Sequence, residues 1–215
     1  MAQLFTKKAN IVPVYVLITI IVLIVAIIGS FWYWGSPYFT DVGYQPKQPV
    51  PYSHKFHVGE LGMDCRYCHI GVETSPVAGI PATQTCMNCH VMVKPTSDSL
   101  KVVKDSWDNN IPIQWVRVHK SPDYVYFDHS AHVNSGVGCI SCHGRVDRMS
   151  VVMQSEPLSM NWCLECHRNP EEHLRPISEI TNMNWRRGTD HTEFATQMMK
   201  GLNINPPTDC QGCHR

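Results

Sequence analysis

Apolar residues are distributed very unevenly along this chain. From Ile11 to Ile28 the run IVPVYVLITIIVLIVAII holds no charged side chain, and an uncharged run of that length spans a bilayer as a single helix. Phe31, Trp32, Tyr33 and Trp34 follow it, as an aromatic belt would at the far interface. Lys7 and Lys8 precede it, so the positive-inside rule puts the N-terminus in the cytoplasm and everything beyond about Gly35 outside. A cleaved signal peptide is the competing reading. Against it, the run is longer than a usual h-region, and four bulky aromatics stand where a small-residue cleavage site belongs. The pattern predicts a cytoplasmic segment 1–10, an uncleaved signal anchor 11–34 and a linker 35–50.

Beyond the anchor the pattern changes. Strand-like alternation is weak, and 15 prolines and 13 glycines punctuate the chain, as in loop-rich folds. Helical periodicity predicts a helix over roughly Thr189–Gly201, and further short helices following the cysteine motifs. The fold class expected is mostly α and irregular, with one transmembrane helix.

The cysteines explain why a regular core is missing. All ten fall into five Cys-x-x-Cys-His motifs: Cys65–Cys68–His69, Cys86–Cys89–His90, Cys139–Cys142–His143, Cys163–Cys166–His167 and Cys210–Cys213–His214. This is the attachment signal for c-type haem: two thiols add to the haem vinyl groups, and the following histidine becomes the proximal iron ligand. Zinc would need four ligands per site; five pairs divide badly into such sites, and the constant histidine would go unexplained. A thioredoxin-type motif would be single and would sit in a βαβ pattern. Haem attachment leaves no thiol for disulfides and takes place outside the cytoplasmic membrane, in agreement with the anchor. About 180 residues after the anchor then serve five haems, so stacked haems are expected to form most of the interior.

Formal charge is +0, from 18 basic and 18 acidic residues. Two propionates per haem would take the loaded protein toward about −10 before pairing. Arg145, Arg148, Arg168, Arg175, Arg186 and Arg187 are natural propionate partners; a solvated surface is the plainer reading of each.

Seven histidines lie outside the motifs: His54, His57, His119, His129, His132, His173 and His191. Four form two His-x-x-His pairs, each led by an aromatic two positions earlier. Tyr52-Ser53-His54-Lys55-Phe56-His57 precedes the first motif, and Phe127-Asp128-His129-Ser130-Ala131-His132 precedes the third. The unit of pair, motif, motif recurs at an offset of 75 residues, His54 against His129. Such a repeat points to two similar two-haem modules, here 51–110 and 111–170, followed by a C-terminal segment 171–215 with the fifth motif. Histidines three apart on a helix share a face and can reach two neighbouring haems. The fifth motif has no pair of its own. Its distal ligand is expected among His119, His173, His191, Met149 and Met160, with His119 favoured for its place just ahead of the second module.

The pairs and motifs together resemble the class III multihaem cytochromes (cytochrome c3/c7). By that resemblance His54 pairs with His69, His57 with His90, His129 with His143 and His132 with His167. The whole chain is further similar to the pentahaem cytochrome c subunits of alternative complex III, a family of bacterial quinol:electron-acceptor oxidoreductases. That likeness rests on the anchor, the five motifs, the stretch from Trp115-Val116-Arg117-Val118-His119 through His132-Val133, and Met160-Asn161-Trp162 leading into Cys163. It implies integral membrane subunits that handle the quinol, an exported iron–sulfur subunit, and a monohaem cytochrome c or terminal oxidase as acceptor, at the bacterial cytoplasmic membrane with the haem domain periplasmic. Irons closed by two strong ligands have no position open for substrate, so no catalytic residue is expected in this chain. One alternative is a stand-alone anchored quinol dehydrogenase of nitrate or nitrite respiration, but Ile70-Gly71 follow the first motif's histidine, so that motif lacks the Cys-x-x-Cys-His-x-Met pattern of the nitrite-linked members. A multihaem reductase is another; none of the motifs ends in the lysine such enzymes commonly use at an open iron.

Overall fold

A computed structural model describes residues 6–214. Residues 1–5 of the expected cytoplasmic segment, Arg215 and the Lys7 side chain lie outside the described part. The chain divides into two units between Asp41 and Val42.

The first unit is built on helix α1, Val12–Trp34, entered through a 3-10 turn at Lys7–Ile11. Pro13 sits in its first turn, where its missing N–H costs nothing. The Thr19 hydroxyl, polar in an apolar run, donates to the Tyr15 carbonyl at 2.9 Å. The continuous apolar stretch Lys8–Trp34 covers 27 residues, none of them buried against protein. At about 1.5 Å per residue this is about 40 Å, ample for a hydrocarbon layer of about 30 Å. A short helix α2, Pro37–Thr40, follows.

The second unit contains a π-helical turn at Lys55–Glu60 and helices α3 (Cys65–Cys68), α4 (Thr83–His90), α5 (Lys101–Asn109), α6 (His129–Asn134), α7 (Ile140–His143), α8 (Met160–Arg168), α9 (His191–Gly201) and α10 (Cys210–Cys213). Among the described residues there is no strand, only a bridge between Val137 and Leu174. The unit is thus mostly helical and irregular, and α9 falls where the periodicity placed it. The motif helices do not follow the expectation. Each cysteine pair lies at or within a helical turn instead of ahead of one. In a single turn, residues three apart share a face, so helicity points both thiols the same way. The histidine N–H then closes onto the first cysteine's carbonyl at 2.9 Å for His69, 3.0 Å for His143 and 2.8 Å for His214.

Local chemistry starts these turns. The Asp64 carboxylate caps α3 by accepting from Arg66 N–H, Asp209 caps α10 through Gly212 N–H, and the Ser159 hydroxyl caps α8 through Trp162 N–H. The protein's own apolar core is thin. Val50, Met87 and Val103 form one buried cluster, where α4 meets α5. Leu174, Ile180, Met183, Ala195 and Val133 are the other buried apolar side chains among the described residues.

Candidate functional site

Each His-x-x-His pair is set by its own local structure. In the second, the Asp128 carboxylate accepts from Ser130 N–H and Ala131 N–H and starts α6. In the first, the Ser53 hydroxyl plays the same part by accepting from Phe56 N–H at 3.2 Å. The leading aromatic organises both rings. Tyr52 meets His54 edge-on at 4.8 Å and 86° and stacks on His57 at 4.4 Å and 19°. Phe127 meets His129 edge-on at 4.8 Å and 87° and lies over His132 at 4.6 Å and 29°.

These four histidines face four motif histidines. Ring centres stand 6.5 Å apart for His54 and His69, 6.2 Å for His57 and His90, 6.4 Å for His129 and His143, and 6.0 Å for His132 and His167. With metal–imidazole bonds of about 2 Å, two rings on opposite sides of one ion stand about 6 Å apart centre to centre. The first and third pairs are also nearly parallel, at 2° and 4°.

The other ring nitrogen is fixed as well. Nδ1–H donates to a backbone carbonyl in His57 (Ser53, 2.9 Å), His69 (Gly79, 2.7 Å), His90 (Val93, 2.9 Å), His129 (Pro76, 2.9 Å), His132 (Asp128, 2.7 Å), His167 (Pro207, 2.7 Å) and His214 (Tyr124, 3.2 Å). A metal-binding histidine typically gives its spare N–H to such an acceptor, which fixes the tautomer and raises its basicity. Burial pushes the pKa of His54 down to about 4 and that of His143 down to about 3, with neighbouring histidines adding to the effect. Burial also lowers that of His132. These rings are therefore neutral, as metal ligands must be. The donor set fits haem iron.

The modules embrace one another. In the first, Lys55 N–H donates to Met149 carbonyl at 2.9 Å, six residues after His143. In the second, Ser130 N–H donates to Ser75 carbonyl at 3.3 Å, six residues after His69. Each pair thus docks on the loop that follows the other module's first motif. The attachment thiols come together in the same way. Cys65 and Cys139 lie close enough for each to shift the other's pKa. The Tyr67 hydroxyl accepts from Asn88 Nδ2 at 3.1 Å, joining motifs one and two. Cys142 lies close enough to Cys163 and Cys166 for their charge to raise its pKa, and Cys163 lies similarly to Cys213.

The fifth motif is tied in by Tyr126 N–H donating to Cys213 carbonyl at 2.9 Å. Among the described residues no second imidazole faces His214 at the spacing of the other four pairs. His119, expected there, stands instead against His143, with Nε2 3.3 Å from His143 Nδ1. His191 Nε2–H donates to Glu171 carbonyl at 2.9 Å. Burial lowers the pKa of His173. Met160 opens α8 largely exposed, and Met149 belongs to the docking of the first pair. The arginines divide. Arg145 is committed to buried Asp147, Met183 carbonyl and Asn184. Arg187 reaches Glu172 at 3.7 Å. Arg175 is buried, lies over Trp185, and keeps an Nε–H without a partner, which a propionate oxygen would satisfy.

Residues 125–215 match the family model described as cytochrome c7 and related cytochrome c. This stretch is similar to c7-type multihaem cytochromes c. The match covers the second histidine pair and the last three motifs. Over 122 residues the chain is 33% identical to the menaquinone reductase multiheme cytochrome c subunit of Nitratidesulfovibrio vulgaris. The aligned part is 56% of this chain and 55% of that protein, so the chain spans about half the length of the curated relative it matches. Sequence reasoning missed the role of Tyr52 and Phe127 as walls for the histidines, although their repeated spacing was visible, and it missed Gly79, Pro76 and Pro207 as carbonyl partners. Backbone acceptors leave no trace in side-chain identity.

Proposed function

We propose that this chain carries five covalent c-type haems and relays electrons within a membrane-bound quinol:electron-acceptor oxidoreductase of the alternative complex III type. The observation that carries this reading is the set of four imidazole pairs at 6.0–6.5 Å, each containing one motif histidine. His69, His90, His143, His167 and His214 are the proximal ligands, and His54, His57, His129 and His132 the distal ones. When bound, the haems supply one-electron redox centres, and the four with paired histidines leave no position for substrate. The chain's part is to orient those ligands through Tyr52, Phe127 and the carbonyl acceptors, and to hold each haem by two thioethers. The contacts among motifs support a spatial order of attachment sites two, one, three, four, five, so motifs two and five mark the ends of the relay.

The apolar helix Lys8–Trp34 supports a single-pass anchor in the bacterial cytoplasmic membrane, with the haem unit on the periplasmic side. Between Ile11 and Ile28 its only ionisable group is the Tyr15 phenol. Quinol oxidation releases protons and needs groups to take them, so the quinone site belongs to partner membrane subunits. An exported iron–sulfur subunit and a monohaem cytochrome c or terminal oxidase complete the path. The relative's name supports a second reading, in which electrons run the other way, into menaquinone. Stopped-flow mixing with a menaquinol analogue separates the readings. The whole complex should be reduced quickly and the purified subunit slowly. Fast, inhibitor-sensitive reduction of the subunit alone would favour a stand-alone quinol dehydrogenase. A complex that is oxidised by menaquinone but not reduced by menaquinol would favour the reverse direction.

A further inference from the structure

Three of the four motif histidines in the two modules give Nδ1–H to a backbone carbonyl, and one does not. His57 and His132 each give Nδ1–H to the carbonyl four residues back, at 2.9 and 2.7 Å. His69, the first motif histidine of module one, gives Nδ1–H to the Gly79 carbonyl ten residues on, at 2.7 Å. Its counterpart His143 has a different partner. Its Nδ1 stands 3.3 Å from His119 Nε2, with the two rings crossed at 87° and 4.4 Å between centres. Seven of the nine histidines read as ligands use a backbone carbonyl, and His143 alone uses another imidazole. The remaining one, His54, has its Nδ1 buried and unpaired.

Resting on the ligand assignment above, we propose that His119 is a positioning residue for the third haem: it accepts the Nδ1–H of His143 and thereby lowers that haem's reduction potential. With Nε2 of His143 committed to iron, its proton must sit on Nδ1, so His143 donates and His119 accepts. An imidazole nitrogen is a more basic acceptor than a peptide carbonyl. It draws the shared proton further, places more negative charge on the His143 ring, and so strengthens that ring as a donor to iron. Added ligand basicity favours the more positive, oxidised iron, and second-shell hydrogen bonding is an established lever on haem potential. His119 presents Nε2 to His143, the nitrogen placed to accept that proton. Because the first and third motifs lie where the modules dock, Lys55 N–H reaching the Met149 carbonyl and Ser130 N–H the Ser75 carbonyl, the lowered potential falls at the junction between the two modules, where it governs the step from one to the other.

The test uses the full-length, haem-loaded chain and compares wild type with His119→Leu and His119→Gln. In His119→Leu, potentiometric titration should show one of the five haems moved to higher potential and the other four unchanged. Electron paramagnetic resonance should still show every bis-histidine haem low-spin. His119→Gln, whose side-chain oxygen can accept, should move the potential less. If His119→Leu takes up fewer than five haems, His119→Phe carries the same test, since it keeps ring volume without an acceptor. Unchanged midpoints in a fully loaded, low-spin variant would overturn the proposal, as would a downward shift. A new high-spin signal would also overturn it, by making His119 an iron ligand. A wild-type spectrum with fewer than four bis-histidine haems would instead break the ligand assignment itself, and the proposal with it.

Discussion

Tyr52 and Phe127 show how one side chain can orient two imidazoles. Each meets the first histidine of its pair edge-on and lies over the second, so the two imidazoles are held crosswise and face different motif histidines. Edge-on and offset contacts of this kind are the preferred aromatic geometries and contribute about 0.5–1.5 kcal/mol each beyond burial. That is enough to favour one ring orientation over its alternatives. If the pairs ligate as proposed, each histidine closes one iron and no other. His129→Ala should then leave five haems attached and convert one of them from low to high spin, read by electron paramagnetic resonance. An unchanged spectrum in the loaded variant would remove His129 from the ligand set.

The elements act as exchanged arms. The π-helical turn of module one rests against the loop after the third motif, and α6 of module two against the loop after the first. Gly59 marks how close this docking is, because a Cβ placed there would come within 2.3 Å of the Asp147 carbonyl oxygen. Asp147 cannot give way cheaply. Arg145 holds its buried carboxylate and is itself tied to Met183 and Asn184. Gly59→Ala should therefore push the turn off its seat and cost about 1–3 kcal/mol, the usual range for overpacking. The fall should appear in the thermal unfolding midpoint of the loaded protein. It should be accompanied by broadened low-spin signals, since His54 and His57 ride on the displaced segment.

At the scale of the whole molecule, few side chains are buried for so long a chain. Among the described residues one buried apolar cluster forms, Val50, Met87 and Val103 around α4 and α5, and Val133, Leu174, Ile180, Met183 and Ala195 are buried besides. Chains that cannot build a sufficient apolar core rely on covalent or metal staples, and here the motifs are distributed so that every part of the second unit holds at least one. Mass spectrometry of the denatured chain should accordingly show five covalent haem additions. Three or four in a correctly matured sample would refute the five-haem reading.

What the sequence determined was whatever depends on covalent spacing. The five Cys-x-x-Cys-His motifs, the apolar span over 11–34, the helix near 191–201 and the duplicated histidine pairs were all legible, because two thiols three apart, an uncharged run and a period of 75 residues survive any arrangement of the chain. The tertiary structure decided the partners. It faced His54 with His69 and His129 with His143, choices the sequence carried only through resemblance. It took His119 away from the fifth motif and set it behind His143, because residue 119 and the third motif are brought together by the docking of the modules and not by their distance along the chain. It also chose Gly79, Pro76 and Pro207 to hold the histidines through their carbonyls. Every residue has a carbonyl, so only the path of the backbone can say which of them is used.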